Sequence, residues 1–233
     1  MTGSRLPADL SDALITVSSP RSPVSEAYRT LRTNLQFASL DTAIRTLVVT
    51  SPGPDEGKST TLANLAVTMA QSEKRVVLID CDLRRPCLHR FFGVANDTGL
   101  TTLIVDEKAL NDPPLRETGI DGLLLLPSGP LPPRPPDLLG SRRMETVISS
   151  VRDRCDIVLF DTPPVIAVTD AAVLATKVDG VLLVVSAGNT GREQAHQAIE
   201  TLQKVNARII GAVVNNVDLD TSMNRYYSAD DDA

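Results

Sequence analysis

The sequence predicts a single α/β domain built on a mostly parallel β-sheet with helices on both faces. Three observations support this fold class. Short apolar runs alternate with amphipathic segments along most of the 233 residues. Several of these runs are apolar at almost every position, which is typical of strands that helices cover on both sides. The chain length fits one such domain, and the sequence contains no internal repeat.

The elements alternate regularly along the chain. A helix over Val24–Leu40 precedes the first strand, because Ala27, Leu31, Leu35 and Ala38 recur at helical spacing. The predicted strands are Thr46–Thr50, Val76–Asp80, Gly122–Leu126, Ile157–Asp161, Gly180–Val185 and Ile209–Asn215. The predicted helices between them are Ser59–Ser72, Pro86–Phe92, Ser141–Asp153, Asp170–Thr176 and Arg192–Val205.

Three segments interrupt this alternation. Residues 1–22 contain prolines and serines with little periodicity, which predicts a mobile N-terminal arm. The proline-rich segment Pro127–Pro136 is expected to be neither helix nor central strand, because proline lacks an amide donor. Residues 218–233 are polar and acidic, which predicts a disordered tail. The folded domain is therefore expected to span residues 23–217.

Composition excludes some classes of function. The formal net charge is −6, which argues against a nucleic-acid-binding protein, because broad phosphate recognition requires a basic surface. No apolar run approaches the roughly 18 residues that a membrane-spanning helix requires. The first residues also lack the layout of a signal peptide. These features predict a cytoplasmic protein that neither spans a membrane nor binds nucleic acid.

A phosphate-binding loop is predicted after the first strand. Thr46–Thr50 is followed by a turn over residues 51–57 and by the start of a helix at Lys58. This strand–loop–helix setting supports a Walker A motif, because loop amides and the helix N-terminus together attract an anion. Lys58 can bridge the β- and γ-phosphates, and the Ser59 hydroxyl can bind Mg²⁺. The predicted nucleotide-binding residues of this segment are Gly53, Asp55, Glu56, Gly57, Lys58, Ser59 and Thr60.

Aspartates stand at the ends of two further strands. Asp80 and Asp82 close the second predicted strand, and Asp161 closes the strand that begins at Ile157. Ligands of open parallel sheets bind beyond the carboxyl ends of the strands, so these carboxylates should lie beside the phosphate loop. Their oxygens suit Mg²⁺. The combination predicts a Mg-ATP site formed by the phosphate loop, Lys58 and the three aspartates.

Together these motifs resemble the bacterial tyrosine kinases of capsular and exopolysaccharide synthesis. That family has a P-loop fold of the MinD/ParA type. The resemblance rests on the loop S-P-G-P-D-E-G-K-S-T from Ser51, the run L-I-D-C-D-L-R-R-P from Leu78, and D-T-P-P from Asp161. An E-x-x-R-x-x-R pattern precedes the first strand, at Glu26, Arg29 and Arg32. The family's loop usually has glycine where this chain has Asp55.

The resemblance implies roles for these residues. Asp82 and Asp161 would hold Mg²⁺, together with Ser59, and Asp80 would be the base for a tyrosine hydroxyl. Glu26, Arg29 and Arg32 would form the interface of a homo-oligomeric ring, although charges at this spacing more commonly form solvated pairs within a helix. A membrane-embedded regulator of polysaccharide chain length would activate the kinase and recruit it to the inner face of the cell membrane.

Two further sites are predicted near the end of the chain. Asn215 closes the last strand, where its amide either reads the adenine edge or only ends the strand in a turn. Tyr226 and Tyr227 lie in the acidic tail, which has no apolar segment against which aromatic side chains could pack. We expect these two tyrosines to accept the phosphoryl group.

Other ATPases of this fold offer alternatives. A positioning or partitioning ATPase usually carries an additional lysine early in the phosphate loop, where this chain has Gly53. An iron–sulfur carrier ATPase would need a C-x-x-C pair, which the sequence lacks. A non-kinase ATPase that acts as an assembly switch for a polysaccharide machine stays open at this point. Phosphate on the tail tyrosines would distinguish the kinase from the switch.

Overall fold

The computed structural model describes residues 13–38 and 43–218. These residues form a seven-stranded sheet in the order β3-β4-β2-β5-β1-β6-β7. The strands are β1 (Thr46–Thr50), β2 (Val76–Asp80), β3 (Arg116–Glu117), β4 (Leu123–Leu126), β5 (Ile157–Asp161), β6 (Gly180–Ser186) and β7 (Ile209–Asn215). All neighbouring pairs are parallel except β3 with β4. The predicted α/β class and the mostly parallel sheet are confirmed.

Helices cover both faces of the sheet. They are α1 (Ile15–Ser18), α2 (Pro23–Ala38), α3 (Lys58–Ala70), α4 (Leu88–Phe91), α5 (Leu100–Val105), α6 (Pro135–Gly140), α7 (Arg142–Arg152), α8 (Asp170–Ala175) and α9 (Arg192–Lys204), with a 3₁₀ turn at Glu107–Leu110. On one face, α2 and α3 pack over residues such as Leu47 and Val49 of β1. On the other face, α7, α8 and α9 pack over the alternate residue Val48. The central strands are therefore apolar throughout, because both of their faces are buried.

The expected mobile arm is wrong for its last residues. Leu14 is completely buried, and the short helix α1 lies against α3. The Thr16 hydroxyl and amide both donate to Asn64 Oδ1, at 2.8 and 3.1 Å. The Asn64 side chain in turn donates to the Ala13 carbonyl at 2.9 Å. These buried hydrogen bonds fix residues 13–18 to the domain, whereas residues 1–12 lie outside the described part of the chain.

The expectation for the proline-rich segment is wrong at its end. Pro135 and Pro136 are the first two residues of α6. Proline is well suited to the first helical turn, because the amides there have no intrahelical acceptor and the ring sets a helical φ. The remaining part of Pro127–Pro136 is neither helix nor strand, as predicted. The structure also contains α5, the 3₁₀ turn and β3, which the sequence analysis did not anticipate.

The sheet order places the predicted site at the carboxyl ends of three adjacent strands. Strand β5 lies between β1 and β2. Asp161 is in register with Val49 of β1 on one side and with Asp80 of β2 on the other. The loop after β1 therefore stands directly beside both aspartate-bearing strand ends.

Candidate functional site

The loop between β1 and α3 has the backbone conformation of an anion-binding turn. Gly57 caps α3 in the left-handed region, with φ of 83°. Asp55, at the exposed tip, is also left-handed, with φ of 58°. Aspartate tolerates this region better than most residues do, which explains how it replaces the glycine usual in the family. Gly57 supplies no side-chain cap, so the first amides of α3 are available to an anion, as is typical of a helix N-terminus.

The buried side chain of Glu56 holds the loop together from inside. Its Oε1 accepts a hydrogen bond from the Gly53 amide, and its Oε2 accepts one from the Thr190 hydroxyl, both at 2.7 Å. The same hydroxyl accepts a hydrogen bond from the Ser186 amide at 2.8 Å. Of the predicted nucleotide-binding residues, Gly53 and the Glu56 carboxylate therefore serve the loop itself in this structure.

Asn215 packs directly behind the phosphate loop. Its side-chain amide donates to the Glu56 carbonyl at 3.1 Å. A Cβ atom at Gly57 would lie 2.0 Å from this amide nitrogen. Glycine is therefore required at position 57 for two reasons, its left-handed φ and the close approach of Asn215. The structure places Asn215 against the loop in a supporting contact that the sequence analysis did not consider, and its part in adenine recognition stays a prediction.

Lys58, Ser59, Asp82 and Asp161 form one compact polar cluster. The Lys58 ammonium lies 3.3 Å from Asp82 Oδ2 and 3.6 Å from Asp161 Oδ1. It also donates to the Ser59 hydroxyl at 3.0 Å, and that hydroxyl donates to Asp161 Oδ2 at 2.6 Å. Thr60 follows on the first turn of α3. The predicted phosphate lysine, the hydroxyl and two carboxylates thus meet at one point.

Asp80 has a different environment from the other two aspartates. It is completely buried, and its Oδ2 accepts hydrogen bonds from the amides of Cys87 and Leu88, both at 3.0 Å. Its Oδ1 accepts from the Asp82 amide at 3.3 Å. Asp80 therefore fixes the loop that follows β2 and the start of α4. Asp82 Oδ1 performs a similar task, accepting from the Arg85 amide at 2.9 Å.

Burial and mutual repulsion govern the titration of this cluster. Burial, supported by the charge of Asp161, raises the pKa of Asp80 to about 8. Burial also raises the pKa of Asp161, although Lys58 and the Ser59 hydroxyl oppose the shift. Burial acts to lower the pKa of Lys58, but the carboxylates of Asp161 and Asp82 outweigh it and raise that pKa. The cluster therefore has an excess of buried negative charge that a cation would compensate.

The residues present fit a magnesium ion held jointly with phosphate. Asp161 Oδ1 is buried and finds no hydrogen-bond partner among the residues that the structure describes, the Lys58 ammonium lying 3.6 Å away. Ser59 Oγ, Asp82 and Asp161 supply oxygen atoms, which Mg²⁺ prefers. Among the described residues no group of three or more histidine, cysteine, aspartate or glutamate side chains could hold a metal alone. Mg²⁺ typically completes its shell with water and nucleotide oxygens, so this donor set is suitable.

Two features of the site escaped the sequence analysis. Cys87 lies beside Ser59 and within the fields of Asp161 and Lys58, and burial raises the pKa of its thiol to about 11. Arg84 forms a two-point ion pair with the completely buried Asp170, with both N–O distances at 3.1 Å. Cys87 gave no signal beyond its proximity to the D-L-R-R-P run. The Arg84–Asp170 pair spans 86 residues of sequence.

The three charged residues of α2 make contacts within this chain. Glu26 and Arg29 form an ion pair on the helix surface, and Arg29 also donates to the Pro20 carbonyl at 2.7 Å. Arg32 donates to the Thr68 carbonyl of α3 at 2.9 Å. These contacts agree with the common role of such charges, which is to pair within a helix or with its neighbours. The ring interface stays a prediction. Tyr226 and Tyr227 lie outside the described residues.

The chain resembles known proteins over most of its length. The family described as CobQ/CobB/MinD/ParA nucleotide binding domain matches residues 47–230. The tyrosine-protein kinase YwqD of Bacillus subtilis is 43% identical over 202 residues, which are 87% of this chain and 85% of YwqD. The putative tyrosine-protein kinase CapB of Staphylococcus aureus is 35% identical over 208 residues, which are 89% of this chain and 91% of CapB.

The chain belongs to the bacterial tyrosine kinase family. The solved kinase domain of Escherichia coli tyrosine kinase ETK superposes on this kinase with a TM-score of 0.86 at 33% identity, covering 95% of this chain and 84% of that domain. The P-loop fold of the MinD/ParA type and the tyrosine-kinase assignment are thus confirmed. The relatives support this reading and not the non-kinase switch. Among residues 13–38 and 43–218, no helix of this kinase is long and apolar enough to cross a membrane.

Proposed function

We propose that this kinase uses Mg-ATP to phosphorylate tyrosine residues in its own C-terminal tail. The observation that carries the proposal is the contact of one lysine with two strand-end carboxylates, Lys58 with Asp82 and Asp161, at the start of a phosphate-loop helix. Lysine at this position binds the β- and γ-phosphates in P-loop enzymes. The function would be control of capsular or exopolysaccharide synthesis and export, as the family resemblance implies.

The chain's own groups would bind and orient the reactants. The first amides of α3 and the Lys58 ammonium would hold the phosphates, while Ser59, Asp82 and Asp161 would hold the cation directly or through water. When bound, Mg-ATP supplies the phosphoryl group and neutralises charge that develops during transfer. On binding, phosphate oxygens would take over the Lys58 ammonium from Asp82, which lies 3.3 Å from it in this structure.

Asp80 would accept the proton of the tyrosine hydroxyl. Its pKa of about 8 makes it a stronger base than an exposed aspartate. Its Oδ2 is occupied by two amides, so the hydroxyl would approach Oδ1. In the described part of the chain, the one hydrogen bond to Oδ1 comes from the Asp82 amide at 3.3 Å, the longest of the three that Asp80 accepts. Proton transfer would therefore require a small movement of the backbone at Asp82.

Asn215 would also contribute to adenine recognition. Its amide nitrogen is engaged by the Glu56 carbonyl, so its Oδ1 is the atom that would accept a hydrogen bond from the adenine amino group. The second outcome, in which Asn215 only supports the loop, would leave the preference for adenine over guanine unchanged in Asn215→Ala. Measuring ATP and GTP affinity in parallel separates the two roles.

The first test concerns the tail. Tyr226→Phe/Tyr227→Phe should lose nearly all autophosphorylation while keeping ATP binding, because both acceptor hydroxyls are gone. Tyr28→Phe is the matched control, since Tyr28 is the third tyrosine of the chain and packs beside Thr61 of the domain. Mass spectrometry of the activated protein should find phosphate on the tail peptide. An unmodified tail during measurable ATP turnover would contradict the proposed function.

The second test concerns the phosphate site. Lys58→Met should abolish measurable Mg-ATP binding in calorimetry, because it removes the one lysine of the loop. Asp161→Asn should reduce turnover more than binding, because cation placement matters most as charge develops. Wild-type affinity in Lys58→Met would refute the placement of the phosphates.

Assembly and location are part of the same proposal. Glu26, Arg29 and Arg32 would carry self-association into a ring, and a membrane-embedded chain-length regulator would recruit the ring to the inner face of the membrane. Light scattering over a range of protein concentrations measures the first part. A triple alanine variant with an unchanged mass distribution would return these residues to a purely intramolecular role.

A further inference from the structure

Three arginines follow the aspartates of β2 closely along the chain. Arg84 and Arg85 follow Asp82 after a single intervening residue, and Arg90 lies on the short helix α4. The amides of Arg84 and Arg85 donate to Asp82 Oδ1 at 3.3 and 2.9 Å. The backbone of this loop is therefore wrapped around a carboxylate of the site, and the side chains of all three arginines are exposed.

Arg84, the first of these arginines, already forms an ion pair within the domain. Arg84 is held by Asp170, whose side chain is completely buried while that of Arg84 is 40% exposed. A two-point guanidinium–carboxylate pair fixes both orientation and position. Arg84 thus anchors the rim to α8 and is unsuitable for a variant, because its removal would leave a buried charge without a partner.

The other two arginines are available. Arg85 and Arg90 are both exposed, and within the described part of the chain neither guanidinium has a hydrogen bond or an ion pair. Two unpaired cations beside a strongly acidic site form a local positive rim, which we define as Arg85 and Arg90. Such a rim would attract negative charge that approaches the site from the side of the acceptor.

The C-terminal tail carries the complementary charge. Residues 219–233 contain four aspartates against one arginine. Three of these aspartates, Asp230, Asp231 and Asp232, follow Tyr227 at positions three to five. A tail of this charge would be repelled by the excess negative charge of the site unless cationic groups compensate it.

We propose that the positive rim, Arg85 and Arg90, selects acceptor peptides that carry acidic residues after the tyrosine, and that the peptide it receives is the tail of this chain, residues 219–233. The inference rests on the proposed kinase function and adds the determinant of acceptor choice. Arg85 and Arg90 are specificity residues, because they would contact the peptide away from the reacting hydroxyl.

The dimensions agree with this assignment. An extended peptide advances about 3.3 Å per residue, so Asp230 would lie roughly 10 Å along the chain from Tyr227. The Arg85 amide lies 2.9 Å from Asp82 Oδ1, so its side chain starts at the site and reaches outward. A tyrosine hydroxyl placed at the aspartates would therefore leave the following acidic residues near the rim.

The experiment measures binding and phosphorylation of peptides by the full-length chain. The probes are a fluorescent peptide of residues 219–233 and the same peptide with Asp230, Asp231 and Asp232 changed to Asn. The variant is Arg85→Gln/Arg90→Gln. The matched control is Lys204→Gln/Arg208→Gln, which removes two exposed cations at the end of α9 and the start of β7, at the opposite edge of the sheet.

We expect the Asn peptide to bind the wild-type chain about fivefold more weakly than the acidic peptide, as two or three solvated ion pairs would give. Arg85→Gln/Arg90→Gln should bind both peptides with the same lower affinity, and the control variant should keep the discrimination. Phosphorylation should show the same loss as an increase in KM for the peptide, with kcat and the KM for ATP unchanged.

Several results would overturn the inference. Equal affinity of the two peptides for the wild-type chain, or no saturable binding of either, would remove the acidic determinant. Equal losses in the rim and control variants would indicate only a general charge effect. A higher KM for ATP in the rim variant would assign these arginines to the nucleotide. Failure of the kinase proposal itself is distinguishable, because it would abolish phosphorylation in the wild type while peptide binding is still measured.

Discussion

Thr190→Val tests whether the buried Glu56 carboxylate organises the phosphate loop. The substitution keeps the shape of the side chain and removes one hydroxyl. That hydroxyl donates to Glu56 Oε2 at 2.7 Å and accepts from the Ser186 amide at 2.8 Å. A hydrogen bond to a charged group contributes about 1.5–3 kcal/mol, and Glu56 is only 3% exposed, so water replaces the lost donor poorly. We expect the free energy of unfolding to fall by about 2 kcal/mol.

Thermal and chemical unfolding measure this loss directly. For a chain of this length, about 2 kcal/mol corresponds to a decrease in Tm of roughly 4–8 °C. Thr190→Ser is the matched variant, because it keeps the hydroxyl and should restore most of the stability. Thr201→Val is the second control, since its hydroxyl makes only an exposed bond to the Gln197 carbonyl. It should change stability by less than about 0.5 kcal/mol.

Nucleotide affinity reports the consequence for function. If Glu56 orders the loop before binding, Mg-ATP must restore that order in Thr190→Val and should bind more weakly. The loss cannot exceed about 30-fold, which corresponds to the roughly 2 kcal/mol removed. Stability within about 0.5 kcal/mol of wild type, together with unchanged affinity, would refute the organising role of Glu56.

Three further predictions follow from the described contacts. Gly57→Ala should abolish ATP binding and lower Tm, because its Cβ would lie 2.0 Å from the Asn215 amide in a left-handed backbone; binding like that of wild type would show that Asn215 can move away. Without nucleotide or divalent cation, the chain should lose stability as pH rises from about 4 to 8, because folding raises the pKa of Asp80 from 3.8 to about 8 and the native state binds the extra proton. Urea unfolding at pH 6 and 8.5 measures this loss. An equal decrease in the free energy of unfolding of Asp80→Asn between these pH values would assign the effect to another group. Arg32→Ala should lower the free energy of unfolding by about 1 kcal/mol even in the monomer, since Arg32 donates to the Thr68 carbonyl. Unchanged stability in a dilute sample would show that this hydrogen bond does not stabilise the fold.

The sequence predicts the central sheet well because burial on both faces leaves a continuous apolar signal. The bounds of β1, β2 and β5 are those predicted, and so are those of β7, which is less buried but equally apolar in sequence. Short elements were missed, since α1, α5 and β3 contain at most six residues and depend on contacts with distant segments. Helix α1, for example, depends on Asn64, 48 residues away. Periodicity within a short segment cannot reveal such contacts.

The residues of the site also fall into two groups, those that the sequence could place and those that it could not. Lys58, Ser59, Asp82 and Asp161 could be placed together because a parallel sheet collects its strand ends on one edge. Thr190 could not be found, because it reaches Glu56 across 134 residues through the loop after β6. The inward direction of the Glu56 side chain could not be predicted either. The sequence alone does not distinguish a glutamate that supports the phosphate loop from one that contacts the ligand.

The position of Asn215 on an edge strand has a consequence for the lifetime of the site. Within residues 13–38 and 43–218, strand β7 pairs only with β6, and two of its residues, Ala212 and Val214, are exposed. Edge strands detach from a sheet more readily than central ones, through openings far smaller than global unfolding. Each such opening would withdraw Asn215 from the Glu56 carbonyl and from Gly57. The phosphate loop therefore keeps its conformation only while β7 stays paired with β6. Slow hydrogen exchange of the β7 amides would then accompany an intact nucleotide site.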